Sequence, residues 1–398
     1  MVDFSVAIRT YNRAHRLPKL FQALRSQIKT NALTWEVVVV DNNSTDDTAV
    51  VIAQLASTLP VTVRYVFEPV QGASFARLRA IHEAKGALIG FLDDDNLPAS
   101  DWVRTAYDFG VRHPRAAAFG SQIHGRFEGP PPARFERIAA FLPVVERDHD
   151  VCFTAGQRRL SNLVPPGAGL VIRAQAWLTD VPAQLKLKGP VAGSLADKGE
   201  DVEALLHLKK AGWDIWFHAQ LHIEHLIGPE RLDRRYLVPF FQGIGRSRHL
   251  TRMVAYRPAL RLPMTLLHFV NDARKLLLYR LRHRQLTFRP RRPFDMECDV
   301  VTLCEWTLLR SSLFSPVTSG LLRNGLPRLG SLLRHPLRWS LLSGVLLLLP
   351  FSQMLGREAS YRPHPRLLPK SQGISQKRGL SQGLSHGRRF SLQKQRFR

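Results

Sequence analysis

Three consecutive carboxylates, Asp93, Asp94 and Asp95, close the apolar run ALIGFL. Side by side they repel one another, so a nearby cation is strongly favoured. Hard oxygen ligands at this density suit Mg²⁺ or Mn²⁺ carrying a diphosphate. If the chain stays extended, Asp93 and Asp95 point the same way. Another carboxylate, Asp41, ends the run EVVVV, where it can accept from a nucleobase N–H or a ribose hydroxyl. Gly199-Glu200-Asp201 opens a helical segment, and His218, His222 and His225 follow within a strand-like stretch that could supply a metal ligand. Each group also has a plain structural explanation: a solvated acidic turn, a helix cap, a complement to the helix dipole, surface histidines.

The elements that must position these residues alternate along the first half of the chain. Apolar runs at residues 4–8, 36–40, 61–67 and 87–92 read as strands. Between them, residues 17–28, 46–56 and 72–85 read as helices, with Pro18 in the first turn of one. Ser44 followed by Asp47 resembles a capping arrangement for the second. Such alternation predicts an α/β fold, a mostly parallel sheet flanked by helices. Ligands of these sheets bind outside the carboxyl ends of the strands, where Asp41 and Asp93–Asp95 stand. The pattern loosens over residues 114–166. It resumes in GAGLVIR at residues 167–173, a helix at 199–211 and a strand at 215–223. The absence of G-x-G-x-x-G and G-x-x-x-x-G-K-[ST] near these strands speaks against a dinucleotide-binding dehydrogenase or a P-loop NTPase.

Charge divides the chain unevenly. It carries 57 Lys+Arg against 32 Asp+Glu over 398 residues, a formal net charge of +25. Residues 1–226 hold 25 basic and 24 acidic residues, leaving 32 basic against 8 acidic beyond them. A near-neutral unit is thus followed by a basic appendage, which a uniformly basic nucleic-acid-binding protein does not show. Three units are expected: residues 1–227, a basic Leu/Arg-rich helical extension at 228–356, and a disordered basic tail at 357–398. Residues 339–356 are uncharged and could span a membrane, lie in its interface, or form a core helix. Cys152, Cys298 and Cys304 are too few and scattered for a disulfide framework, which fits a reducing compartment. Arg9, Arg13 and Arg16 interrupt any signal-peptide core. The expected location is cytoplasmic, peripheral on or anchored to the membrane's cytoplasmic face.

Taken together, five segments resemble the family 2 glycosyltransferases, which have the GT-A fold. They are VAIRTYNR, VVVVDNNSTDDT, GASFARLRAIHEAKGALIGFLDDDN, GAGLVIRAQAW and GEDVEALLHLKKAGWDIWF, covering about residues 3–227 in the family's order. The variant also resembles the cyanobacterial hormogonium-polysaccharide glycosyltransferases. The resemblance implies that Thr10, Tyr11 and Asn12 shape the base pocket, with Asp41 binding uracil or ribose. Arg77 approaches the nucleotide, although Leu78 replaces the Asn that commonly follows it. Asp93 lies near the ribose and Asp95 ligates Mn²⁺ or Mg²⁺, with Asp94 sharing either role; His225 completes the metal or diphosphate contact, and Asp93 joins the metal set. Gly167 and Gly169 suit close approach of the backbone to the sugar. Asp201 is the catalytic base, with Glu200 beside it.

These roles imply a single displacement with inversion at the anomeric carbon, from a nucleotide-diphospho-sugar, expected to be a UDP-sugar, to a hydroxyl of a glycan or lipid-linked acceptor in polysaccharide biosynthesis. The basic appendage fits an anionic membrane surface, each basic residue near it contributing roughly 1 kcal/mol. Two other classes compete. One is a non-catalytic membrane adaptor, against which the full acidic set argues. The other is a nucleic-acid binder, against which the Leu-interleaved arginines argue, because single strands need stacking aromatics.

Overall fold

The computed structural model describes residues 2–131, 135, 138–156, 163–189 and 198–282. The expected basic tail, the segment at 339–356, Cys298 and Cys304 lie outside them. Among the described residues nine strands form one mixed sheet. They are β1 (Phe4–Thr10), β2 (Trp35–Asp41), β3 (Thr62–Phe67), β4 (Leu88–Asp93), β5 (Asn96–Pro98), β6 (Ala116–Phe127), β7 (Val151–Cys152), β8 (Val171–Arg173) and β9 (Asp214–Ile227). The order is β3-β2-β1-β4-β8-β6-β9-β5, with β7 also on β9. The long strands pair in parallel, whereas the short β5, β7 and β8 run antiparallel to their neighbours.

Register sets the height of the chemistry. In β1, Thr10 stands opposite Asp41 of β2, and Arg9 opposite both Val40 of β2 and Asp93 of β4. Three strands thus deliver polar residues to one carboxyl edge. Their interiors are apolar on both faces, as a strand covered twice requires. Val37 and Val39 face α1 (Leu17–Arg25), α2 (Thr48–Ala56) and α4 (Trp102–Arg112), among Leu20, Phe21, Ile52, Trp102 and Phe109. Val38 and Val40 face α3 (Ala73–Glu83), α5 (Ala174–Asp180) and α6 (Glu200–Ala211), among Ala80, Trp177, Leu205 and Leu208.

Helix α6 carries its own start and stop. Gly199 and Gly212 flank it in the left-handed region, at φ of 92° and 99°. Glu200, Asp201 and Glu203 complement the dipole at its start, Lys209 and Lys210 at its end. After β9 come α7 (Arg234–Val254) and α8 (Pro258–Arg282). Leu232, Leu237, Phe240 and Phe241 form a third apolar cluster with Ile138, Leu142 and Ile227, so residues 232–241 pack directly against the end of β9. Arg252 of α7 and Asp272 of α8 form a buried ion pair at 2.5 Å.

Local expectations shift in four places. Helix α2 starts at Thr48, whose N–H and hydroxyl both donate to Asp46, while Ser44 accepts from Asn12 N–H instead of capping. Of the stretch 167–173, only Val171–Arg173 is strand. Strand β9 is longer than expected, and its register on β6 shifts between Ser121 and Gln122, as an irregularity in the ladder does. Finally, β4 stops at Asp93 and the chain turns through Asp94, so the alternation that would align Asp93 with Asp95 does not apply.

Candidate active site

Because the chain turns, each of the three aspartates takes its own partners. Asp93 Oδ1 accepts from Arg9 Nη2 at 2.5 Å. Asp94 Oδ2 accepts from Thr10 Oγ1 at 3.0 Å. Asp95 Oδ1 accepts from Asn96 Nδ2 at 2.9 Å, and Oδ2 from Arg231 Nη1 at 2.6 Å. Burial, together with the charges of Asp95 and Asp93, pushes Asp94 up to about 8. Burial alone would raise Asp95 as well, but the charge of the Arg231 guanidinium beside it holds it below the usual carboxylate range.

His225 reaches the site because Asn96 pairs with it across β5 and β9. Its Nδ1 faces the Pro143 carbonyl at 3.4 Å, and its Nε2 lies 2.9 Å from Arg231 Nη1. A guanidinium only donates, so Nε2 is the acceptor and presents its lone pair. Nε2 and Asp95 Oδ2 lie 3.6 Å apart and face one point. One carboxylate oxygen and one imidazole nitrogen, the imidazole oriented through its other nitrogen, fit a divalent cation that draws its remaining ligands from phosphate and water. Asp93 stands outside this pair, held by Arg9. Among the described residues no three His, Cys, Asp or Glu side chains close on a common point. His218 and His222 are elsewhere, His218 on Asp150 at 2.9 Å and His222 against His124 at 3.0 Å.

On the β2 side, the buried Asp41 accepts from Ser44 N–H and from Tyr65 Oη, both at 2.9 Å. Burial and this bond push the Tyr65 hydroxyl up to about 12. Asn42 ties the following loop, its Oδ1 accepting from Gly72 N–H at 2.8 Å and its Nδ2 donating to the Val70 carbonyl at 2.7 Å. Asn12, at φ 50°, accepts from Thr45 N–H at 2.7 Å, so it shapes the crevice wall through the backbone. Tyr11 is exposed beside it.

The other wall is α6. Asp201 is half-buried, and its Oδ1 accepts from Val202 N–H at 2.8 Å. Burial and the neighbouring Asp201 raise the Glu200 carboxyl above its ordinary range. Arg77 is buried from α3 with its guanidinium 4.9 Å from the Phe91 ring centroid and 3.9 Å from Glu200. Its Nε and Nη1 lack a hydrogen-bond partner, and burial, then the charge of Arg9, lowers its pKa. A buried arginine with unused donors fits an anion. Gly167 passes between Arg77 and Asp201: a Cβ there would lie 2.6 Å from Asp201 Oδ2 and 2.8 Å from Arg77 Nη2. Gly169, at φ 62°, instead approaches Ser121 and Ile223.

Three basic residues here escaped the sequence reading. Arg9 is the penultimate residue of β1, where apolar residues precede it, a signal that a buried strand end carries charge. Lys198 is lowered to about 8 by burial, despite the attraction of Glu200, and lies beneath the Phe240 ring at 4.9 Å. Arg231 follows β9 in a basic stretch where nothing local distinguishes it.

Comparison with known proteins identifies the frame that holds these residues. A model described as Glycosyl transferase family 2 matches residues 5–165. Those residues are similar to a family 2 glycosyltransferase domain. The sheet and its flanking helices form a mixed α/β fold with a mostly parallel sheet. Glycosyltransferase AglE of Haloferax volcanii is 33% identical over 99 residues, covering 25% of this chain and 32% of that protein. An uncharacterized glycosyltransferase, alr2836 of Nostoc sp., is 32% identical over 96 residues, covering 24% and 29%. The chain therefore spans about a third of the length of these relatives. Among solved structures, S. aureus TarS 1-349 in complex with UDP-GlcNAc shares 18% identity at a TM-score of 0.45, covering 66% of this chain and 70% of that one. The mannosyltransferase PcManGT of Pyrobaculum calidifontis, in complex with GDP-Man and Mn²⁺, shares 16% at 0.44, covering 85% and 83%.

Proposed function

We propose that this chain is an inverting glycosyltransferase that moves a sugar from a nucleotide-diphospho-sugar to a hydroxyl of a glycan or lipid-linked acceptor in polysaccharide biosynthesis. The observation that carries the reading is the convergence at Gly167. There Arg77 Nη2 and the carboxylate of Asp201 both border a backbone with no side chain, as a phosphate clamp and a base must around one sugar, and Arg77 Nε and Nη1 remain without a partner. A UDP-sugar is the expected donor, since Asp41 ends β2 where a uracil N–H or ribose hydroxyl can be bound.

In this reading, residues 10–12 and 41–44 hold the nucleoside while Arg77 and Arg9 orient the diphosphate. Asp95 and His225 would hold Mn²⁺ or Mg²⁺, with Asp93 and Asp94 alongside. When bound, the cation supplies neutralisation of the charge that develops on the departing diphosphate. Asp201 accepts the proton of the attacking hydroxyl, worth typically 10²–10⁴-fold on the order-of-magnitude scale of general base catalysis. Glu200, buried behind it, keeps α6 seated against Arg77. Transfer is one displacement: the acceptor oxygen bonds to the anomeric carbon as the bond to the diphosphate breaks.

The basic residues beyond 228 place the domain at the cytoplasmic face of an anionic membrane, near a lipid-linked acceptor. Within α8, Leu260, Leu262, Leu266, Leu267, Val270 and Leu278 are exposed, and this apolar stripe is the part that enters the interface. Among the described residues no helix is long and apolar enough to cross a membrane. Calorimetric titration with UDP, GDP and dTDP tests the donor reading: one of them binds in the presence of Mn²⁺, and Asp95→Ala removes the metal-dependent part. Binding of none, with or without metal, refutes it.

A further inference from the structure

Arg231 Nη1 lies 2.6 Å from Asp95 Oδ2 and 2.9 Å from His225 Nε2. The point where a divalent cation would find its carboxylate and its imidazole is therefore filled by a cation belonging to the protein. The placement is built in. Arg231 sits in the short helical turn Pro229–Leu232 directly after β9, its N–H closing on Gly228 O at 3.0 Å. The next residue, Leu232, is buried in the cluster with Ile227 and Leu237. The guanidinium also lies 5.9 Å from the Tyr236 ring centroid, and its proximity to Asp95 holds it charged despite burial.

We propose that Arg231 and the divalent cation are mutually exclusive occupants of the Asp95–His225 pair, and that the diphosphate of the donor releases the site by drawing Arg231 onto itself. A guanidinium and a divalent ion cannot share two donor atoms in a half-buried crevice, because like charges at contact distance repel there far more than in water. A diphosphate reverses the balance. It brings oxygens that complete the cation's coordination and offers the planar fork of Arg231 a better partner than a lone carboxylate oxygen. Metal and diphosphate then bind together, and each strengthens the other by the same factor. Residues 228–232 become a sensor that admits the metal only with its substrate, which keeps an idle site from holding Mn²⁺ open to water. The metal half of this inference concerns Asp95, His225 and Arg231 alone; its diphosphate half rests on the donor reading above.

Mn²⁺ binding to the full chain, followed by electron paramagnetic resonance without any nucleotide, tests it. Wild type binds Mn²⁺ weakly, and inorganic pyrophosphate tightens the binding. Arg231→Gln binds Mn²⁺ alone roughly tenfold or more tightly, since a like charge has been removed from contact range, and pyrophosphate adds less. Arg231→Lys retains the weak binding of wild type. Arg231→Gln with Asp95→Asn loses the gain. A melting curve guards against misfolding: Mn²⁺ raises the Tm of Arg231→Gln more than that of wild type. Equal or weaker Mn²⁺ binding by Arg231→Gln overturns the proposal, whatever the nucleotides do. Tighter binding in that variant with no response to any nucleotide-sugar upholds the exclusion and removes the donor reading instead.

Discussion

Gly167→Ala probes the geometry at its narrowest point. Gly167 does not need the left-handed region, so alanine there is a purely steric change. The new Cβ would lie 2.6 Å from Asp201 Oδ2 and 2.8 Å from Arg77 Nη2, against an optimum of about 3.5 Å for non-bonded heavy atoms. Arg77 is 2% exposed and enclosed, so the half-buried Asp201 carboxylate is the group that gives way, by roughly 0.9 Å on that optimum. A displacement near 1 Å at a reacting group costs on the order of 10²-fold in rate, or about 2.7 kcal/mol in the barrier. Overpacking costs about 1–3 kcal/mol of stability, so the fold survives. Steady-state transfer kinetics should then show a collapse of kcat with a much smaller change in nucleotide Kd, measured by calorimetry. A kcat within about twofold of wild type, at an unchanged Tm, refutes the placement of Asp201 at the reacting centre.

Further outcomes follow from other parts of the molecule. Folded Asp94 keeps its proton up to about 8, whereas the unfolded chain loses it near the ordinary carboxylate value. Unfolding therefore releases a proton between those values, and metal-free stability declines as pH rises from about 4 towards 8. Asp94→Asn removes that contribution, so its Tm gains on wild type at pH 8 relative to pH 5; parallel Tm curves for the two proteins contradict this. Asp272→Ala leaves Arg252 buried and unpaired, costing about 3–5 kcal/mol; denaturant melts read the loss, and Arg252→Met with Asp272→Leu should recover most of it. Leu267→Glu with Val270→Glu should abolish sedimentation of the full chain with anionic vesicles at low salt without altering its far-UV spectrum. Undiminished sedimentation excludes α8 as the docking element.

The parts that were legible in the sequence are those encoded by contiguous apolar runs. EVVVV could only be a strand covered on both faces, and Asp41 had to end it; ALIGFL fixed Asp93 in the same way. The opening of α6 was legible through Gly199 and its acidic first turn. Residues brought by pairing between distant segments were not. His225 meets Asp95 through the three-residue β5, too short to carry a periodic signal, and Arg231 arrives because Leu232 and Leu237 fill a cluster beyond β9. Gly167 and Gly169 look equivalent in GAGLVIR, yet one borders Asp201 and Arg77 while the other packs on Ser121. The turn at Asp94 divided three neighbouring carboxylates that alternation would have aligned.

The central claim is that the carboxyl edge of β1, β2 and β4, closed by α6, transfers sugar from a nucleotide donor with Asp201 as base. A donor panel supplied with Mn²⁺, with and without membrane lipid, tests it through release of nucleoside diphosphate from wild type and from Asp201→Asn. Wild type is expected to release nucleoside diphosphate from one class of nucleotide-sugar, and Asp201→Asn to lose release while retaining nucleotide binding. Equal release by both proteins, or none by wild type from any donor, contradicts it.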